Sequence, residues 1–183
     1  KHIQKRFSEK QLLEDINLSI HLGDKIGLVG VNGSGKSTLL QIIAGAMEED
    51  AGEILRSNEL RIGYLPQNPD FEPESTVLEQ AMEYVQGAVP EYVVKTLLTK
   101  LRMNMFDRKM KALSGGQRKR VAMAAVMCRD TNLLILDEPT NHMDNDIIEW
   151  LEEQLENYKG SVLMITHDRY FLELSLIHIS EPT

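Results

Sequence analysis

The spacing of apolar residues changes along this chain, and each change of period predicts where strands give way to helices. Strands are predicted for six short apolar runs, at 12–20, 25–30, 53–55, 61–65, 133–136 and 161–166. Helical spacing is found at 37–44, over much of 76–105 with breaks near Gly87 and Pro90, at 117–128 and at 147–158. Strands that alternate with helices predict an α/β fold with a mostly parallel sheet.

Composition narrows the class of protein. The 183 residues suit one domain, and the 42% hydrophobic and 26% charged shares are ordinary for a soluble globular protein. Cys128 is the single cysteine, so an internal disulfide is impossible, which fits a cytoplasmic protein. We expect no membrane insertion and no signal peptide, because no apolar run approaches the roughly 18 residues of a membrane helix. The chain starts with Lys1 instead of Met, which predicts a gene fragment.

Charge is unevenly distributed. The net charge of −8 argues against attraction of the whole surface to nucleic acid. Residues 91–120, however, carry a charge of +7 against −15 for the remainder. The basic side chains of this segment are Lys95, Lys100, Arg102, Arg108, Lys109, Lys111, Arg118, Lys119 and Arg120. Two interpretations remain open, a solvated helical face or a contact surface for a polyanion.

A glycine-rich loop stands between a predicted strand and a predicted helix. Gly30–Ser37 reads GVNGSGKS and matches the P-loop pattern G-x-x-x-x-G-K-[ST]. Its glycines let backbone N–H groups surround phosphate oxygens, while Lys36 reaches the β- and γ-phosphates. The Ser37 hydroxyl can hold Mg²⁺. An ordinary glycine turn is the alternative, but the strand-then-helix setting favours a site for ATP and Mg²⁺.

Two acidic residues follow the apolar run Leu133–Leu136. Asp137, at the end of a buried strand, suits Mg²⁺, and Glu138 can polarise an attacking water as general base. Alone, such a pair is often a plain strand end. The P-loop upstream favours the metal interpretation.

A second glycine pair precedes the helix predicted at 117–128. Ser114-Gly115-Gly116-Gln117 would form another anion-receptive helix N-terminus. The alternative is a plain helix start with Ser114 as the N-cap.

In their order along the chain, these motifs resemble those of an ATP-binding cassette (ABC) nucleotide-binding domain, from about residue 3 to residue 173. The resemblance implies a P-loop NTPase fold of the α/β class. It implies a RecA-like core, an N-terminal antiparallel β subdomain and a short helical subdomain at about 75–128. ATP and Mg²⁺ are the implied cofactors, and ATP hydrolysis is the implied activity.

The resemblance also assigns site residues. Nucleotide contacts are implied for Phe7, Gly30, Asn32, Gly33, Ser34, Gly35, Lys36, Ser37, Thr38, Ser114, Gly115, Gly116, Gln117 and Asp144. Metal contacts are implied for Ser37, Gln67 and Asp137, and catalytic roles for Glu138, His167 and Gln67. Gln67 matches the family's Q-loop, Ser114–Gln117 its signature, Asn141–Asp144 its D-loop and His167 its switch histidine. Phe7, expected to stack on adenine, has packing against the sheet as its alternative.

Three segments resemble the ABC-F branch, soluble proteins with two cassettes in one chain: 113–122, 136–144 and 166–172. Residues 148–152 further resemble the first cassette of a Uup-like protein. The resemblance implies action on the ribosome, its RNA or DNA. An ATP-binding subunit of a membrane transporter is the alternative.

Two features qualify the resemblance. Only 46 residues separate Gln67 from Ser114, which leaves no room for the long helical arm of many ABC-F proteins. Lys95, Lys100 and Arg102 are therefore the hypothesised contacts to ribosomal RNA or DNA. Residues 174–183 resemble the translation of a sequencing adapter, and we expect a non-native tail there, after a cassette at 1–173.

The resemblance also implies a partner. Two cassettes join head to tail, so that ATP on one P-loop is covered by the other's Ser114 and Gly116. A second cassette, in the same full-length chain or in a homodimer, is therefore expected to be needed for efficient hydrolysis.

Overall fold

A computed structural model describes residues 1, 3–7, 10–28, 35–167 and 177–179. The strands are β1 (Ile3–Phe7), β2 (Lys10–Ile16), β3 (Lys25–Leu28), β4 (Ile62–Leu65), β5 (Leu133–Asp137), β6 (Ser161–Ile165) and β7 (Ile177–Ile179). The helices are α1 (Lys36–Ala44), α2 (Val77–Tyr84), α3 (Glu91–Lys100), α4 (Gly115–Cys128) and α5 (Asn145–Asn157), with a 3₁₀ turn at Met110–Ala112. None of the helices within the described ranges is long and apolar enough to cross a membrane.

The first of two compact units contains the sheet and comprises Lys1–Tyr64, Thr131–Glu138 and Tyr158–Thr183. Its strand order is β4-β5-β6-β3-β7. Strand β6 pairs in parallel with β5 and β3, and β7 pairs in parallel with β3. All five residues of β5 and of β6 are buried, as expected of central parallel strands. The predicted α/β fold with a parallel sheet is confirmed.

The apolar core of this unit lies between helix α1 and the sheet strands. Its buried members are Ile26, Leu28, Leu39, Leu40, Ile42, Leu133, Ile135, Leu163 and Ile165. Helix α1 ends at Gly45, whose φ of +81° places it in the left-handed region. Gly45 is the residue at which the sequence predicts the end of the helix, because glycine adopts this conformation without a Cβ clash.

The amino-terminal strands differ from the prediction in their limits. Strands β1 and β2 pair antiparallel, as the resemblance implies, but β2 is Lys10–Ile16, so it starts two residues before the predicted run 12–20 and ends four residues before the end of that run. The strand predicted at 53–55 is wrong. Gly52 has a φ of +115°, which turns the backbone out of the extended region, and only an isolated bridge joins Gln4 to Ala51.

The second unit is helical and comprises Leu65–Asp130 and Pro139–Asn157. Helices α2 and α3 both pack on α4. The interior is completed by fully buried apolar side chains such as Val94, Leu98 and Val121. Helix α2 begins with a capping box, in which the Thr76 hydroxyl accepts from the Glu79 N–H and Glu79 accepts from the Thr76 N–H. The predicted subdomain limits of 75–128 fall inside this unit.

The tail contributes a short strand to the sheet. Residues Ile177–Ile179 form β7, which lies beside β3. The pairing of three residues carries no information about the DNA that encodes them, so the adapter-derived origin of 174–183 stays a prediction.

Candidate functional site

The carboxyl-terminal part of the P-loop leads into helix α1. Gly30, Asn32, Gly33 and Ser34 lie outside the described residues, as do any side-chain contacts of Phe7 in β1. Gly35 has a φ of +89° and stands at the N-cap of α1. A residue with a Cβ would be strained there.

The first turn of α1 contains Lys36, Ser37 and Thr38, all partly buried. No described side chain caps this helix start, and its first turn contains no acidic residue. The backbone N–H groups of the turn and the positive end of the helix dipole are therefore suited to phosphate.

Asp137 is the last residue of β5 and is only 2% exposed. Tyr64 lies on the neighbouring strand β4. Burial, and after it the negative charge of Asp137, raises the pKa of Tyr64 to about 12, although a hydrogen bond with Gln41 acts in the opposite direction. Asp137 thus projects a negative potential at the end of the sheet. A buried carboxylate of this kind favours a nearby cation.

Glu138 follows directly and is 6% exposed. Its φ of +49° is left-handed, which costs a non-glycine residue roughly 1–2 kcal/mol. Its N–H donates to the Ile165 carbonyl at 2.8 Å, and its Oε1 lies 3.1 Å from Nε2 of His167. The ends of two parallel strands thereby bring together the predicted general base and the predicted switch histidine.

The side chains present fit Mg²⁺. This ion prefers oxygen ligands and is usually held by one or two carboxylates together with substrate phosphates and waters. Asp137 and the Ser37 hydroxyl are such donors. In the described part of the chain no cluster of three or more His, Cys, Asp or Glu side chains forms a complete metal cage. A site that completes its coordination with phosphate oxygens agrees with this donor set.

The signature segment begins helix α4 with a second capping box. The Ser114 hydroxyl accepts from the Gln117 N–H at 3.2 Å, and the Gln117 side-chain oxygen accepts from the Ser114 N–H at 3.0 Å. Ser114 and Gly115 are exposed. The N-cap interpretation is therefore confirmed, and the hydroxyl hydrogen of Ser114 keeps the ability to donate to an anion.

The D-loop contacts the signature helix. A Cβ added to Gly116 would lie 3.1 Å from Cβ of His142, so glycine permits this close approach. The Asp144 carboxylate accepts from Arg102 at 2.9 Å and lies 3.8 Å from Arg120. Asp144, assigned to nucleotide contact by the resemblance, therefore has arginine partners within its own unit.

Lys119 is a residue whose role the sequence misses. It belongs to the basic segment and is expected in a solvated face or a polyanion contact, which is wrong for this side chain, because it is 4% exposed. Its ammonium donates to the carbonyls of Pro66 and Gln67 at 2.8 and 3.1 Å. Helical spacing could have indicated this burial, since Ala122, Met123 and Val126 are buried three, four and seven residues later.

Several other cations of the segment 91–120 have partners in the same unit. These contacts are Lys95 with Glu91 at 2.5 Å, Lys111 with Glu74 at 2.5 Å, Arg102 with Asp144 and Asp146, and Arg118 over the Phe71 ring at 4.2 Å. Lys95 and Arg102, two of the three hypothesised nucleic-acid contacts, therefore carry intramolecular ion pairs. These pairs favour the solvated-face interpretation for both residues.

These features define the class of P-loop nucleotide-binding proteins. A glycine-rich loop leads into a helix that no described side chain caps, and buried acidic residues lie near that helix at the carboxyl ends of parallel strands. Residues 13–141 match the ABC transporter family, and this chain belongs to that family.

Comparison with similar proteins indicates the branch of the family to which the chain is related. The chain is 37% identical over 211 residues to an uncharacterised ABC transporter ATP-binding protein, YfmR of Bacillus subtilis, with 93% of this chain and 34% of the relative covered. It is 37% identical to the energy-dependent translational throttle protein EttA of Haemophilus influenzae, with 90% and 37% covered. It is 38% identical to the ATP-binding protein Uup of Escherichia coli, with 90% and 27% covered. EttA and Uup are ABC-F proteins, which confirms the resemblance to that branch.

The chain thus spans about a third of the length of these curated relatives. Among solved structures, it resembles the post-hydrolysis dimer of the ATP-binding cassette MJ0796 bound to ADP and phosphate. The TM-score is 0.81 at 25% identity, with 98% of this chain and 93% of that chain covered. This likeness confirms the ABC cassette fold.

Proposed function

We propose that this chain is an ATP-hydrolysing cassette of the ABC-F type, whose ATP-driven pairing with a second cassette acts on the ribosome or on nucleic acid. The observation that carries the proposal is the buried Glu138, turned out of β5 and held 3.1 Å from His167. A general base needs both a defined place and a partner that orients it. The strained backbone of Glu138 is typical of a functional residue.

Hydrolysis then proceeds through the side chains at the ends of β5 and β6. The N-terminus of α1, with Lys36 and Ser37, binds the phosphates. Ser37 and Asp137 would hold Mg²⁺, which would neutralise charge on the phosphate oxygens when bound. Glu138 accepts a proton from the water that attacks the γ-phosphorus, and ADP leaves with its bond to that phosphorus broken. His167 orients the Glu138 carboxylate.

The other side chains complete the proposed site. Phe7 contacts the adenine, and the P-loop residues Gly30, Asn32, Gly33, Ser34, Gly35 and Thr38 contact phosphate. Gln67 contacts the metal and the water. Ser114, Gly115, Gly116, Gln117 and Asp144 face the nucleotide of the other cassette. Support for two cassettes in contact comes from the dimeric cassette of the similar solved structure.

Glu138→Gln tests the base. The substitution keeps the shape of the side chain and removes its basicity, so we expect hydrolysis to fall by about 10²–10⁴-fold while ATP-bound dimers accumulate. Glu153→Gln on the exposed side of α5 is the control and should hydrolyse ATP as the parent does. Unchanged turnover in Glu138→Gln would contradict the assignment.

The ribosome is proposed as the partner because EttA carries translation in its name and is 37% identical to this chain. Co-sedimentation of the Glu138→Gln protein with ribosomes, with and without ATP, tests this step. Retention that requires ATP supports it. Binding to DNA alone, or to neither, would contradict the ribosomal assignment while leaving the ATPase intact.

A further inference from the structure

Lys119 is a buried cation that has no role in the proposed reaction. It lies on helix α4, five residues after Ser114, and only 4% of it is exposed. Its ammonium donates to two consecutive carbonyls, those of Pro66 at 2.8 Å and Gln67 at 3.1 Å. One side chain therefore joins the signature helix to the backbone of the loop that carries Gln67.

Such a contact is costly as a source of stability alone. Removing an ammonium from water carries a penalty that carbonyl hydrogen bonds offset only when their geometry is good. An apolar side chain of similar length would avoid the penalty on the ammonium but would leave the two carbonyls without this donor. The charged donor does what an apolar side chain cannot, because it specifies the direction and position of two carbonyl groups.

One of the two fixed carbonyls belongs to Gln67, whose side chain is exposed. Gln67 is exposed, whereas its backbone oxygen is held by Lys119. Fixing the backbone of a residue restricts where its side chain can reach without burying the side chain itself. Reacting groups must be held within fractions of an ångström, so this restriction bears directly on a residue that contacts metal or water.

We propose that Lys119 is a positioning residue, which holds the Pro66–Gln67 backbone against α4 and thereby limits where the amide of Gln67, the proposed ligand of metal and water, can reach. The inference rests on the proposed function of Gln67.

The experiment compares Lys119→Met with a matched lysine. Lys25 also donates to two carbonyls, those of Tyr158 at 2.6 Å and Gly160 at 2.9 Å, but in the sheet unit. Lys25→Met therefore removes the same kind of contact away from the Gln67 loop. The affinity of the protein–ATP complex for Mn²⁺ is measured by electron paramagnetic resonance, and kcat and thermal unfolding are measured beside it.

Lys119→Met should weaken Mn²⁺ binding and lower kcat by about 10-fold, the effect expected when an outer partner of a ligand is lost. Lys119→Arg, which keeps donors for both carbonyls, should recover most of the loss. The Gln67→Ala protein should have the same kcat with and without Lys119→Met, because both substitutions act through the side chain of Gln67. Lys25→Met should lower thermal stability with unchanged Mn²⁺ affinity.

Two results would overturn the inference. One is a Lys119→Met protein that behaves like Lys25→Met, less stable but with normal Mn²⁺ affinity. The other is a double variant, Lys119→Met with Gln67→Ala, whose kcat is lower than that of Gln67→Ala by the same factor that Lys119→Met causes alone. Should Lys119→Met not fold, Lys119→Gln is measured in its place, with the same two criteria. A parent protein that pairs in the presence of ATP and yet does not hydrolyse it contradicts the proposed function, whereas normal hydrolysis with either result above contradicts only the role of Lys119.

Discussion

Ser114 gives a sharp test, because the structure assigns it one role and the proposed function assigns it another. Its hydroxyl caps helix α4 through the Gln117 N–H. In the proposed dimer it also donates to the phosphate of the other cassette's ATP. The chain contains a matched cap that has only the first role. Thr76 forms the same capping box with Glu79 at the start of α2, also with a 3.2 Å bond to the backbone N–H.

The size of the capping effect follows from these geometries. Replacing a Ser or Thr N-cap by Ala costs about 1 kcal/mol, within a range of roughly 0.5–2 kcal/mol. For a chain of this length, a loss of that size lowers the melting temperature by about 2–4 °C. Thr76→Ala and Ser114→Ala should therefore destabilise the protein by similar amounts. Only Ser114→Ala should also reduce ATP hydrolysis.

A third variant separates the two roles of Ser114. Asp is as good an N-cap as Ser, and its charge interacts favourably with the helix dipole. The same charge repels ATP phosphate. Ser114→Asp should therefore match the parent in thermal unfolding and yet lose ATP-dependent dimerisation, measured by light scattering with a Glu138→Gln background.

The comparison has clear contrary outcomes. If Ser114→Asp dimerises with ATP as well as the parent does, Ser114 does not contact the phosphate. If Thr76→Ala loses as much activity as Ser114→Ala, the effect of both comes from general loss of stability. In either case, the head-to-tail arrangement would lose the support of this residue.

Three further outcomes are expected. Gly116→Ala should have a lower melting temperature than Gly115→Ala, since a Cβ at position 116 would lie 3.1 Å from His142 Cβ, whereas a Cβ at position 115 would meet no described atom within 4 Å outside its own helix and chain neighbours. Equal melting temperatures would contradict this contact. Arg102→Ala should lower the free energy of unfolding by about 0.2–1 kcal/mol, and by less at high salt, because the ion pairs it removes are exposed. Urea unfolding at two salt concentrations measures this change, and a change that does not depend on salt would refute the ionic explanation. Burial raises the pKa of the Cys128 thiol to about 11, so alkylation at pH 8 should be at least ~100-fold slower in the folded protein than in urea, and equal rates would contradict this burial.

The parts of the fold that the sequence predicted share one property, a continuous local pattern. Strands β5 and β6 are uninterrupted apolar runs, and helix α1 ends at the glycine that predicts its end. Ser114, the N-cap candidate of the sequence, does cap helix α4. Each of these features depends on neighbours in sequence, so composition and period are sufficient to find it.

The missed features depend on residues far apart in the chain. Lys119 meets carbonyls 52 and 53 positions away, and Arg102 meets Asp144 at a separation of 42. A lysine between two arginines has the sequence pattern of a solvated face. Its burial results from the packing of α4 against residues that are distant in the sequence. The incorrect strand at 53–55 has the opposite cause, since its local pattern is extended but Gly52 adopts a φ of +115°.

The Glu138–His167 pair shows how a non-local site can still follow from local patterns. Asp137 pairs with Ile165 in the parallel register of β5 and β6, so the residues that follow these two strands leave the sheet at the same edge. Glu138 then turns with a φ of +49°, and its N–H bond to Ile165 holds that turn. A slip of one residue would move Glu138 to the other face of the sheet. The fully buried strands oppose such a slip, and the stability of the sheet thereby maintains the strained turn that places the proposed base beside His167.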